Sequence, residues 1–146
     1  MSYTVAVERD APQADRKPIG AGLLHFNTRA TGDGGFQTLV VLARAAEGGV
    51  VGGAIGEVFW GWLHLQQLWV EESLRSSVAG SALLAAIEAE ALRLGCVGAH
   101  LDTFSFKARP FYERHAYEVF GSLDGFPAPY TRYFMRKLLV ERDATG

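Results

Sequence analysis

The stretch from Leu68 to Leu84, LWVEESLRSSVAGSALL, constrains this chain more than any other. Leu68-Trp69-Val70 reads as the apolar end of a strand. Glu71 to Ser77 is a short polar turn with Arg75 at its centre. Val78-Ala79-Gly80-Ser81-Ala82 is a helix start rich in small residues. The first N–H groups of a helix have no partner inside it, and the helix dipole adds positive potential at the same end. A strand that breaks into such a turn therefore offers a site for a phosphate or pyrophosphate, with Arg75 as a neighbouring cation.

The rest of the chain predicts a mixed α/β sheet built around that turn. Tyr3 to Glu8 alternates, with Tyr3, Val5 and Val7 on one face, and reads as a short strand. Asp10-Ala11-Pro12 resembles a helix start. It predicts a short helix over Ala11 to Lys17, stopped by Pro18, and a second over Ile19 to Thr28. Phe36–Arg44, Val50–Trp60 and Trp62–Val70 form an antiparallel meander, in which Gly52, Gly53 and Gly56 mark bulges or close backbone approach. Trp62–Val70 is then the fourth strand, and alternation puts Trp62, His64, Gln66, Leu68 and Val70 on one of its faces.

Val78 to Leu94 carries Leu83, Ile87, Ala91 and Leu94 at helical spacing, with Glu88 and Arg93 mostly outward and Gly95 as the terminating glycine. Val97–Thr103 is a fifth strand and Lys107–His115 a short helix. Glu118–Ser122 and Thr131–Val140 are the last strands, around an Asp124–Pro129 loop. Strand 62–70, helix 78–94 and strand 97–103 make a right-handed parallel crossover. The sum is about seven strands flanked by helices, in a single domain over residues 1–146 that is long enough for a real core.

Composition narrows the partners. A formal charge of −2 argues against nucleic acid, which needs a basic face. No window approaches ~18 uninterrupted apolar residues, so no membrane span is predicted. The N-terminus lacks the basic start and apolar run of a signal peptide, which points to a cytoplasmic protein. Cys96 is the single cysteine and cannot form an internal disulfide; at the start of a buried strand it reads as packed rather than reactive. No clustering of His, Cys and carboxylates predicts a metal site.

The turn does not carry the G-x-x-x-x-G-K-[ST] string of a P-loop, nor the G-x-G-x-x-G of a dinucleotide fold. Arg75-Ser76-Ser77-Val78-Ala79-Gly80 instead resembles the [QR]-x-x-G-x-[GA] signature of the GNAT superfamily of acetyl-CoA-dependent N-acetyltransferases. A second block, Ala108-Arg109-Pro110-Phe111-Tyr112-Glu113-Arg114-His115-Ala116-Tyr117-Glu118, is similar to that family's A-x-x-x-Y-E-[KR]-x-G-[FY] motif. The two occur in the family's order, and the resemblance covers about Phe36 to Leu138. Three positions depart from it. Val78 and Ala116 replace glycines, and Ser105 stands where many members have a cofactor-contacting asparagine.

The resemblance implies a splay between the fourth and fifth strands that takes the pantetheine arm. It implies that Arg75, Ser76, Ser77, Val78, Ala79, Gly80 and Ser81 hold the pyrophosphate, mainly through backbone N–H groups, with Ser105 nearby. Backbone N–H groups near Leu68, Trp69 and Val70 would polarise the acyl carbonyl. Tyr112 matches the general acid that protonates the departing thiolate; the other reading is a packed tyrosine with its hydroxyl bonded. His64 is one candidate base, against a histidine that only lines the cleft, and Glu57 on the adjacent strand is the carboxylate alternative. An amine that arrives deprotonated needs neither.

Among the aromatics, Trp60, Trp62, Trp69, Phe104 and Phe106 read either as a substrate pocket or, for at least three of them, as core. His25 and Phe26 fall on a helix that flanks the acceptor in the family. His100 reads as a strand histidine without chemistry. The implied function is transfer of an acetyl group to a primary amine, on a small molecule or peptide, within a ternary complex. A non-catalytic module that kept the fold and weakened its clamp at Val78 is the competing reading. The resemblance also allows a homodimer through the last strands.

Overall fold

The structure, a computed structural model, describes residues 1–75 and 77–140. It divides into two compact units, residues 1–34 and the chain from Gly35 onward.

The first unit is one helix, α1 (Gln13–Thr31), preceded by irregular chain. Pro18 lies inside it without dividing it, so the two helices expected on either side of Pro18 are one. Proline's fixed φ suits a helix; so near the start it forfeits a single ladder bond. Gly32, at φ 74°, ends the helix and donates its N–H to the Thr28 carbonyl at 2.8 Å. No residue of α1 is buried. Tyr3 to Glu8 forms no strand, and Tyr3, Val5 and Val7 are exposed. Alternation supplies a face, but a strand also needs a neighbour for its N–H and C=O groups, and this unit contains none.

The second unit is a sheet of six strands: β1 (Gln37–Arg44), β2 (Val50–Phe59), β3 (Trp62–Val70), β4 (Gly98–Phe104), β5 (Glu118–Asp124) and β6 (Thr131–Leu138). Their order is β1-β2-β3-β4-β6-β5, antiparallel throughout except for β3 beside β4. The fourth and fifth strands expected from the sequence are thus β3 and β4, and the count among the described residues is six rather than about seven. Helix α2 (Ala79–Arg93) connects β3 to β4, and the short α3 (Arg109–Arg114) connects β4 to β5.

A bulge in β3 decides which side chains face the core. Leu65 pairs with Gly56 and Gln67 with Ile55, so Gln66 is the extra residue. One added residue reverses the alternation that follows. Leu68 and Val70 therefore join Leu63 and Leu65 on the face that packs against α2, while His64, Gln67 and Trp69 share the other face. The single uninterrupted face expected from Trp62 to Val70 does not exist. Gly56 allows the bulge: a Cβ there would lie 2.8 Å from the His64 carbonyl oxygen.

Leu83, Leu84, Ile87 and Ala91 of α2 close the core against Leu39, Ala54, Leu63, Leu65 and Leu101. Full burial of a side chain such as Ile87 stabilises the fold by about 1.5–3 kcal/mol. Cys96 is buried at the entry to β4, and burial pushes its thiol pKa up. Glu88 does not point outward as its helical position suggested. Its carboxylate accepts from the Tyr117 hydroxyl at 2.7 Å and the Lys137 ammonium at 2.8 Å. Both burial and the Glu88 bond push the Tyr117 pKa up. Among the described residues, no helix is long and apolar enough to cross a membrane.

Candidate active site

Strands β3 and β4 pair at only three positions, Trp62 with Gly98, Leu63 with Ala99 and His64 with His100. Past His64 they part. β4 keeps its partner β6 as far as Phe104, whereas β3 runs on to Val70 with β2 alone beside it. The Glu71 N–H donates to Val51 on the β2 side at 2.8 Å. Donors alternate along a strand, so the N–H groups of Leu68 and Val70 point the opposite way, into the gap.

Two adjoining cavities fill this region and share Leu68, Trp69 and Ala108. The first, about 550 Å³, runs along the turn and the start of α2 and includes Arg75, Ser77, Gly80, Ser81, Phe111 and Arg114. The turn is a 3-10 segment over Glu72–Leu74. Ser77 organises its exit: its hydroxyl donates to the Leu74 carbonyl at 2.6 Å and accepts the Ala79 N–H at 3.2 Å. The first bond within α2 runs from the Ala82 N–H to the Val78 carbonyl. The N–H groups of Gly80 and Ser81 precede it, so they have no carbonyl partner within the helix. Arg75 is held by its Nε donating to the Val70 carbonyl at 3.3 Å. Ser81 Oγ lies 2.9 Å from His115 Nε2, which ties the first turn of α2 to the end of α3.

The second cavity, about 380 Å³, occupies the gap. Gln66 to Trp69 form one wall and Asp102 to Phe104 the other; Lys107, Ala108 and Tyr112 complete it. Tyr112 is buried, and its hydroxyl makes no hydrogen bond among the described residues. Burial first, and the Asp102 carboxylate second, push its pKa up to about 12, so the phenol keeps its proton across the physiological range. Asp102 is gripped by Arg132 through two bonds of 2.9 Å. The Arg132 guanidinium in turn lies 4.8 Å from the Phe126 ring and 5.2 Å from Phe134.

Behind the gap is a third cavity, lined by Glu57, Phe59, Trp60, Trp62, His64 and His100. Glu57 sits opposite His64 in the β2–β3 ladder. The His64 and His100 rings are stacked with centroids 4.6 Å apart. Burial first, and His64 second, push the His100 pKa down.

A sheet that opens beside a helix N-terminus in this way recurs among known proteins. The model of the Acetyltransferase (GNAT) family matches residues 8–117. The chain belongs to the GNAT acetyltransferase family. It is 38% identical over 104 residues to a blasticidin-S acetyltransferase of Streptomyces morookaense, covering 70% of this chain and 76% of that protein. It is 34% identical over 116 residues to an acetyltransferase of Agrobacterium fabrum, covering 80% and 82%. A crystal structure of an acetyltransferase from Bacillus cereus superposes with a TM-score of 0.85 at 28% identity, over 92% of this chain and 97% of that one.

Within this GNAT fold, the residues singled out from the sequence fall into three places. Arg75, Ser77, Gly80 and Ser81 line the turn cavity, which Leu68, Trp69 and Val70 also border. Tyr112 borders the gap, and His64 and Glu57 line the third cavity. Ser76 lies outside the described residues. Ala79 spends its N–H on Ser77. Val78 has an ordinary φ of −79° and an exposed side chain that borders neither cavity, so valine fits there without strain. Ser105 lines neither cavity; its hydroxyl accepts the Thr131 N–H at 3.0 Å.

Ala116, which replaces the motif's glycine, is left-handed at φ 69°. The Tyr117 N–H reaches back to the Tyr112 carbonyl at 3.1 Å and closes the turn. The five aromatics are not core: Trp60, Trp69 and Phe106 are exposed, and Trp62 and Phe104 are half-buried. His25 and Phe26 are exposed on α1 in the first unit. Sequence reasoning missed Arg114, Lys107, Asp102 and His100. The pattern held a signal for the last two, since His100, Asp102 and Phe104 alternate on the same face of β4. Among the described residues, no group of three or more His, Cys, Asp or Glu is placed to hold a metal.

Proposed function

We propose that residues 1–146 act as a single GNAT domain that transfers an acetyl group from acetyl-CoA to a primary amine by direct attack in a ternary complex. One observation carries this reading. The Leu68 and Val70 N–H groups lose their strand partner where a cavity holding two arginines meets one holding an unbonded tyrosine hydroxyl.

In this reading Arg75, Arg114 and the first-turn N–H groups of α2 bind the pyrophosphate. Leu68 and Val70 offer their N–H groups to the thioester carbonyl oxygen as negative charge develops on it. Tyr112 gives its proton to the departing sulfur. His64 takes a proton from the amine, directly or through water, with Glu57 as the alternative. His64 is the last paired residue before the gap, two positions behind the first residue lining it, which favours the route through water. The transfer from Tyr112 is steeper than a free phenol suggests. Against a thiol near 8.5, a pKa of about 12 makes it uphill by roughly 5 kcal/mol. Desolvation of the thiolate in the same gap offsets part of that.

The non-catalytic reading was motivated by Val78; the exposed valine side chain supports the catalytic reading over it. The acceptor is a small-molecule or peptide amine; similarity to a blasticidin-S acetyltransferase makes blasticidin S one compound to test. In this reading the protein is cytoplasmic and forms a homodimer through its last strands, supported by exposed Phe120 and Leu123 on the edge strand β5 and measurable by light scattering. Calorimetry with acetyl-CoA, followed by CoA release over an amine panel, tests the whole. No binding at millimolar acetyl-CoA would sink it.

A further inference from the structure

The third cavity, about 370 Å³, holds both candidate bases, but its aromatic walls have no part in acetyl transfer as proposed. Gly98 is what allows one of them. A Cβ at that position would lie 2.5 Å from the Trp62 ring, so the ring lies across β4 only because no side chain is there. Trp62 meets His100 edge-on at 6.2 Å, and His100 stacks on His64. On the other side Trp60 lies against Phe59 at 4.1 Å.

Trp60 is placed at a backbone cost. It sits at φ 50° in the two-residue turn with Gly61 at φ 77°, where asparagine or aspartate before glycine is favoured. A bulky residue in the left-handed region is an outlier. Its ring is not drawn into the core in return, being 45% exposed.

Amid these rings, Glu57 is half-buried and its carboxylate makes no hydrogen bond or ion pair among the described residues. Ring faces and a free carboxylate together attract a cation, and most strongly one that is partly desolvated. His100 is held toward its neutral form. Arg136, its ladder partner on β6, is taken up by Glu118 at 3.0 Å.

We propose that this cavity is a second acceptor subsite, which takes a planar cation of the guanidinium class at the end of the acceptor remote from the acetylated amine. The assignment rests on the acetyl-transfer reading and narrows its substrate class. Leu68 lies four residues beyond His64 on the same strand, so the two groups are separated by roughly 12 Å, the reach of about eight methylenes.

Two measurements test it. The first is binding of octylguanidinium and of its neutral isostere octylurea, followed by tryptophan fluorescence. Binding of the cation at least tenfold tighter, with the ratio falling below twofold in Glu57→Gln, supports the subsite; equal binding of the two overturns it. The second is CoA release with 1-amino-8-guanidinooctane against octylamine. The guanidino amine should have a tenfold higher kcat/KM, carried by KM, and Trp62→Leu should reduce that advantage below twofold. An advantage that survives Trp62→Leu overturns the subsite. Cation-selective binding without CoA release from any acceptor would overturn the acetyl-transfer reading while leaving the cation preference intact.

Discussion

The imidazoles of His64 and His100 lie face to face, 4.6 Å apart and 4° from parallel, on the last pair of residues that joins β3 to β4. Two stacked rings cannot both carry charge without mutual repulsion. Burial first, and the His64 ring second, hold His100 toward its neutral form in the folded state, with its pKa below the usual value of 6.5. The unfolded chain binds a proton on His100 more readily than the folded one. Stability from this group is complete above about pH 6.5 and is lost as pH falls toward the depressed folded value. A melting-temperature profile should decline as pH drops below 6.5, and His100→Phe should flatten that decline. An unchanged slope in the variant would remove His100 from the account.

Tyr112→Phe should lower kcat by about 10²–10⁴, the usual range for a lost general acid. The hydroxyl makes no hydrogen bond among the described residues, so urea denaturation should shift by no more than about 0.5 kcal/mol. Because its pKa is raised to about 12, Tyr112 stays protonated up to pH 10. Any fall in rate below that pH must come from another group, and the profile of kcat against pH will show whether it does.

Gly80 borders the turn cavity, yet a Cβ there would meet the Phe111 ring at 3.5 Å and the Val70 side chain at 3.9 Å, both ordinary contacts. Gly80→Ala should leave the fold intact and gain up to about 1 kcal/mol from helix propensity. It should also weaken acetyl-CoA about tenfold by filling space beside the first-turn N–H groups. Val78→Gly should change that affinity less than twofold, because the valine side chain is exposed. Calorimetry on the two variants separates the positions, and the reverse pattern would mean that the cavity is not the cofactor site.

These contrasts show where the sequence was readable. Helix α2, the strands of the meander and the turn at Arg75 follow from local spacing, and they stand close to where that spacing puts them. Gly56 did mark a bulge or close backbone approach, but that the extra residue is Gln66, across the ladder on β3, does not follow from spacing within either strand. Glu88 looked like a solvated helix position because its partners, Tyr117 and Lys137, lie 29 and 49 residues away. Alternation within β4 puts His100 on one face with Asp102, but only the parallel pairing with β3 brings it against His64. What was missed in the site is contact across elements.

Ala116 offers a test on the backbone alone. It occupies the left-handed region at φ 69°, where an alanine costs about 1–2 kcal/mol. Ala116→Gly should relieve most of that and stabilise the protein by roughly 1 kcal/mol, even after the added freedom of the unfolded chain. A shifted urea midpoint at constant slope would register it; destabilisation would mean that the alanine methyl makes contacts worth more than the strain.

The pairing of Trp62 with Gly98 has a mechanical side. Three rungs join β3 to β4, and six residues of β3 extend beyond the last of them, roughly 20 Å of strand held by β2 on one side only. A two-pronged fork clamped only at its base magnifies any tilt there at its tips. The Trp62 ring lying on Gly98 is the shim in that clamp. Thickening it with so much as one methyl group would spread the prongs most at Leu68 and Val70, far from the change itself.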